Sequence, residues 1–230
     1  MARVGARKAG DEIARSAQRF VRRSVEIEDA AVVRFREALE AGVPTARRVV
    51  RSAWQDDPPS LADVATVSRL TELHTAALTK ALEAWDEALW QIMVAGIRSA
   101  ERELRWIVRF AESEDMPIVT RVAESMMVHA LPTWEQGHTR ARAGVSYTAE
   151  TFREQVVRQA LLAREAEDDV DVVEARILEP GKVDAHGISG RGVWWRSVDS
   201  LSSGLTTISV QSANLVKQQS IELFNARAVR

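Results

Sequence analysis

The sequence predicts an all-α fold, an elongated helical bundle with one very long central helix. Three observations carry that expectation. Apolar residues recur at steps of three and four along most of the 230 residues, and apolar content is 46%, enough to bury a core in one large domain or two small ones. One apolar stripe keeps its phase for about fifty residues, roughly 75 Å of helix. The breaks fall at defined places: Gly42, the run Asp56-Asp57-Pro58-Pro59, and the glycine-rich stretch 179–192.

The first helix is expected over residues 10–41, on Ile13, Ala17, Phe20, Val21, Val25, Val32, Phe35 and Leu39. Gly42 stops it. Pro44 opens a short helix through Val49, Val50 and Trp54, because a proline in the first turn gives up only an amide without a helical partner. Two successive prolines at 58 and 59 cannot lie inside a helix.

Ser60 and Asp63 then cap the longest helix, 61–111. At 100° per residue, Val67, Leu70, Leu78, Trp85, Leu89, Met93, Ile97, Ala100, Leu104 and Trp106 share an arc about 180° wide. Glu72, Glu83, Glu87, Arg98, Glu101, Arg102, Arg105 and Arg109 fill the other side, and only Glu103 breaks the pattern. A strict heptad repeat would drift by more than about 100° over this length, so straight layered packing fits better than a two-stranded coiled coil.

Asp115-Met116-Pro117 starts the next helix, on Ile118, Val122, Met126 and the run 128–130 from Val128 to Ala130. Pro132 is expected to kink or end it, and Gly144 to close the region. Thr148 caps a helix to residue 177 on Phe152, Val156, Ala160, Leu161, Val170, Val173 and Ile177. Residues 179–192 read as a flexible loop. The last segment opens on Trp194-Trp195 and continues as a polar helix on Val198, Leu201, Leu205, Ile208, Leu215 and Leu223. The expected organisation is a helical bundle region at 1–178, the loop, and a C-terminal helical segment at 193–230. No capping signal precedes Arg230, so a truncation there, or a surface awaiting a partner, stays open.

The formal charge of -2 drives the chain onto neither nucleic acid nor an anionic membrane. Its distribution is uneven. Residues 1–23 hold seven cationic side chains against Asp11 and Glu12, and residues 149–174 hold eight acids against Arg153, Arg158 and Arg164. Solvated helix faces account for both stretches; a basic end and an acidic end also suit docking between two neighbours. The absence of cysteine excludes disulfides, thiolate zinc sites and cysteine nucleophiles. No apolar run follows the basic N-terminus, and no window approaches the ~20 uninterrupted apolar residues of a membrane helix. A soluble, cytoplasmic chain without a membrane partner is expected.

Catalytic and metal-binding patterns fail on spacing. His129 and His138 are nine residues apart, on opposite sides of a helix, with Pro132 between them. His74 borders the apolar stripe and reads as a core histidine. Asp168, Asp169, Asp171 and Glu174 lack the glycine and alternating oxygens of a calcium loop. Asp184, His186 and Ser189 have the residue types of a triad, but position 191 is arginine where a nucleophile elbow needs glycine, and one short loop does not bring three members to catalytic angles. Gly181-Lys182 continues with Val183, so it is no phosphate loop. Catalytic residues, metal and cofactor are therefore all assigned as none. Trp194-Trp195, beside Arg191 and Arg196, has the composition of a base-stacking site or an interface anchor, and the anchor is favoured.

Taken in order, the Ala/Arg/Glu-rich helices of 10–178, the glycine loop and the polar helix from 198 resemble the N-terminal part of tailed-phage minor head proteins, the head-morphogenesis family typified by the Mu F protein. The Ser/Thr-rich start of that last helix and its Asn-Leu-Val-Lys-Gln-Gln run at 214–219 belong to the likeness. It is one of texture and order and transfers no functional residue, and the C-terminal module usual in the family is absent. The resemblance implies a virion protein, present in a few copies inside a phage head near the portal.

The expected function is thus a non-enzymatic structural component of a large assembly, with portal or capsid proteins, or further copies of the chain, as partners. The alternative is a helical module contacting nucleic acid through a basic N-terminal face of Arg15, Arg19, Arg22 and Arg23. An enzyme using the 184–196 loop is a third reading. Segments 10–41 and 149–177 span at most about 48 and 43 Å, too little to cover so long and wide a stripe. Trp85, Trp90, Val94, Ile97, Trp194 and Trp195 are accordingly the expected partner interface, and the isolated chain is expected to self-associate or require a partner.

Overall fold

The computed structural model describes residues 2–111, 114–184, 187–189 and 191–228, without the side chains of residues 2–9, 182–189 and 197–200. The fold is all-α. Six helices follow one another among the described residues: α1 (Ala2–Glu40), α2 (Val43–Gln55), α3 (Val64–Phe110), α4 (Met116–Glu165), α5 (Val170–Leu178) and α6 (Val193–Ala228). The glycine-rich stretch is not merely a flexible loop. It forms a small antiparallel hairpin, β1 (Lys182–Asp184) with β2 (Gly187–Ser189), in which Val183 pairs with Ile188.

The chain forms two compact units. The first comprises Met1–Ala31, Trp85–Thr139 and Thr206–Arg230; the second comprises Val32–Ala84 and Arg140–Leu205. These units cut across the expected division at 178 and 192, because α1, α3, α4 and α6 each supply a stretch to both.

The stripe of α3 is buried as its periodicity predicts, with Val67, Leu70, Leu78, Leu89, Met93, Ile97 and Leu104 inside, while Glu72, Glu83, Arg98 and Arg102 are exposed. The exceptional Glu103 is also buried. It accepts hydrogen bonds from Lys217 Nζ (2.8 Å) and Ser99 Oγ (3.0 Å), which replace the water its carboxylate loses. Lys217→Met alone is expected to destabilise by about 1–3 kcal/mol, leaving a carboxylate with one partner. The Glu103→Leu/Lys217→Met double variant is expected to recover most of that loss. Urea titrations of the two variants check the coupling, and equal losses for both would contradict it.

The longest helix is α4, at 50 residues, three more than α3. The helix ends neither at Pro132 nor at Gly144. Val119, Val122, Met126, Ala130, Thr133, Gly137, Ala141, Val145, Thr148 and Phe152 form one buried series at steps of three and four that runs through both positions. Burial along that series outweighs the single hydrogen bond the proline forfeits. The glycine is used for close approach instead of termination: a Cβ at Gly144 would lie 2.9 Å from Leu201 Cδ1, and one at Gly137 equally close to Leu89 Cδ2.

Conversely, the helix expected to run from 148 to 177 is interrupted. Helix α4 ends at Glu165, Glu167 adopts φ 53°, and Asp169 caps α5 by accepting from the amides of Asp171 (2.9 Å) and Val172 (3.0 Å). In α1 and α6 the expected faces are buried only in part, Phe35 and Leu39 in the first and Leu201 and Leu205 in the second. Ser16, Ile27, Ala31, Phe35 and Leu39 point inward in α1, whereas Val21, Val25 and Val32 are exposed. In α6 the inward series is Leu201, Leu205, Ser209, Ser212, Val216, Ser220 and Phe224, with Leu215 outside. Small and hydroxyl residues occupy these seams because neighbouring backbones come close: a Cβ on Gly96 would lie 3.1 Å from the carbonyl oxygen of Ala213.

Candidate docking groove

In the first unit α1 and α3 flank a groove of about 420 Å³. Helix α1 contributes Arg19, Phe20, Arg23 and Ile27. Helix α3 contributes Trp90, Val94 and Ala95 to the apolar part and Gln91, Arg98 and Arg102 to the polar part. Each helix thus presents two arginines one turn apart, and no carboxylate lines the groove. Beneath it Phe20 packs against the buried cluster of Ile27, Ala31, Ala88, Ile92 and Ala213, and Lys217 Nζ stands 5.9 Å from the Phe20 ring centre.

The four groove arginines are not equivalent. Arg23 lies 3.2 Å from Glu26, and Arg102 donates to Ser16 Oγ at 3.5 Å. Among the described residues, Arg19 and Arg98 meet no carboxylate. The expected basic face is therefore split. Arg15 is held by Glu12 (2.9 Å), Arg22 faces Glu26 at 3.8 Å, and only Arg19 and Arg23 join the groove.

The expected interface residues divide in the same way. Trp90 and Val94 are half-buried and line the groove. Trp85 and Ile97 are buried in the core of the first unit and offer no apolar surface to a partner. The Trp194-Trp195 pair is likewise internal, in the second unit. Trp195 Nε1 donates to the Leu178 carbonyl (2.8 Å), and Trp194 is fully buried edge-on against the His74 and Phe152 rings. Gly42 makes the space for it, since a Cβ there would lie 2.9 Å from the Trp194 ring. Of the residues expected to remain partly uncovered, Trp90 and Val94 do so and Trp194-Trp195 does not.

His74 is the core histidine its position predicted. Its ring stacks on Phe152 (4.0 Å, 13°) and its Nε2 donates to the Trp194 carbonyl at 3.2 Å. Burial pushes its pKa down from 6.5 to about 4, despite that hydrogen bond. In the unfolded chain the imidazole takes up its proton near its ordinary pKa, so the unfolded state binds more protons throughout this window. Stability is therefore expected to fall as pH drops from about 6.5 to about 4, by a total on the order of 3 kcal/mol. Denaturant titrations across that range check it, and a His74→Phe variant is expected to lose this part of the slope.

The C-terminal half of the acidic stretch proves to be occupied internally. Glu174 accepts from Arg47 and Arg51 at 2.5 Å each, Asp171 pairs with Arg51, Asp168 with Arg176 at 2.6 Å, and Asp169 caps α5. The side chains of Asp184, His186 and Ser189, on which the enzyme reading rested, lie outside the described residues; the hairpin register pairs Asp184 with Gly187 and Ser189 with Lys182. Among the described residues no helix is long and apolar enough to cross a membrane. No known protein family, curated protein or solved structure matches the chain. Sequence reasoning recorded both halves of the groove separately, as a basic α1 face and a solvated α3 face. The repeated Arg-x-x-x-Arg spacing at 19/23 and 98/102 was the signal that joins them.

Proposed function

We propose that this chain is a non-enzymatic structural component of a large protein assembly, most concretely a minor head or portal-associated protein of a tailed phage. The groove between α1 and α3 is the observation that carries the docking role. It leaves Trp90 and Val94 partly accessible beside four arginines, a combination enriched at protein interfaces. The phage setting is supported by the order of segments along the sequence. Mass spectrometry of gradient-purified heads from the source phage tests it. The chain is expected in the heads at a few copies each, and its recovery only in the unassembled fraction overturns the reading.

The pair Arg19 and Arg98 favours a second reading, a helical module that binds nucleic acid. That reading expects duplex DNA affinity to fall steeply and linearly in log–log form with salt. A flat salt response excludes it.

A further inference from the structure

We infer that the occupant of the α1–α3 groove is an acidic amphipathic helix of a partner protein. The inference rests on the reading of the chain as a docking component and names the partner's chemistry. Arg19 with Arg23, and Arg98 with Arg102, are each four residues apart on a helix, so their side chains emerge about 6 Å from one another. Carboxylates four residues apart on an incoming helix repeat at the same interval. Arg19 and Arg98, which meet no carboxylate of the chain among the described residues, can each take one through two parallel hydrogen bonds, with Arg23 and Arg102 adding positive charge one turn away.

The floor of Phe20, Trp90, Val94 and Ala95 is apolar except for the Trp90 indole N–H, which suits an apolar helix stripe better than a phosphate backbone. Charge and floor together therefore favour a protein helix over DNA. A second copy of this chain is a poor occupant. Its acidic stretch has Asp168, Asp171 and Glu174 already paired and Asp169 capping α5 within the second unit, which leaves Glu150, Glu154, Glu165 and Glu167 interspersed with Arg153, Arg158 and Arg164.

The test uses the full chain and a labelled designed peptide of about 18 residues, with leucines at helical steps of three and four and glutamates on both flanks. A peptide of the same composition in scrambled order and a duplex DNA of similar length are the comparisons, all read by fluorescence anisotropy. The ordered peptide is expected to bind at least about tenfold more tightly than the scrambled one. The Arg19→Glu/Arg98→Glu variant, both positions exposed and remote from the core, is expected to weaken it about tenfold or more. A peptide with lysines in place of glutamates is expected to bind that variant and not the parent. Circular dichroism of the variant verifies that the fold is kept.

Equal binding of ordered and scrambled peptides, indifference to the charge reversal, no binding of either peptide, or preference for DNA each overturns the inference. Heads that contain the chain while the peptide fails to bind reject the helix and leave the assembly role standing. Peptide binding by a chain absent from heads does the reverse.

Discussion

Trp194→Ala is expected to destabilise the protein by about 3–5 kcal/mol, a large share of the stability of a domain of this size. The indole is fully buried and is the hub of the second unit's interior. It meets the His74 ring edge-on at 4.8 Å and the Phe152 ring at 5.8 Å, and it fills the space left by Gly42. Truncation removes those contacts and leaves a cavity bordered by Gly42, α3 and α4, and the two helices are held by their own buried series. Trp194→Phe retains part of the volume and is expected to lose less than half as much. Urea denaturation, with the midpoint and slope measured for both variants, decides the point. A loss under about 1 kcal/mol for the alanine variant would show that the tryptophan does not anchor this unit.

A comparably large effect is expected on α3. Trp85→Ala and Leu89→Ala should each lower stability by about 2–5 kcal/mol, whereas Arg98→Ala should change it by less than about 0.5 kcal/mol. Leu89 is fully buried, and its Cδ2 lies where a Cβ on Gly137 would collide. Arg98 is exposed and rims the groove. The same Arg98 substitution is expected to weaken peptide binding, so stability and docking separate between the two faces of α3. Similar thermal losses for all three variants would contradict the assignment of faces.

Helices were legible wherever a long series of apolar residues kept the 3.6-residue period, as in α3. They were misread where one residue was allowed to overrule such a series. Pro132 and Gly144 carry strong local preferences, yet the buried series from Val119 to Phe152 passes through both, and its cooperative packing outweighs them. The faces of α1 and α6 were legible only in part for a related reason. Counting only large apolar residues gave weight to Val21, Val25 and Leu215, and none to Ser16, Ser212 and Ser220, which sit inside because neighbouring backbones approach closely. The aromatic pair at 194–195 looked like surface, since a sequence window shows neither Gly42 nor His74 beside it. The groove was invisible for a physical reason: it exists only once α1 and α3, some seventy positions apart in the chain, lie together.

The glycines set a rule for engineering this protein. Replacing helical glycine by alanine is a routine way to raise thermal tolerance, worth about 0.5–1 kcal/mol per site through helix propensity and a less disordered unfolded chain. Here the same substitution divides the glycines into opposite classes. At Gly10 in α1 and Gly204 in α6 an added Cβ meets nothing within 4 Å, so both alanines should raise the melting temperature. At Gly192 the added carbon would fall 2.5 Å from the carbonyl carbon of Ile177, which is backbone and cannot rotate away. A propensity-guided redesign that treated every glycine alike would therefore cancel its own gains at the entrance to α6.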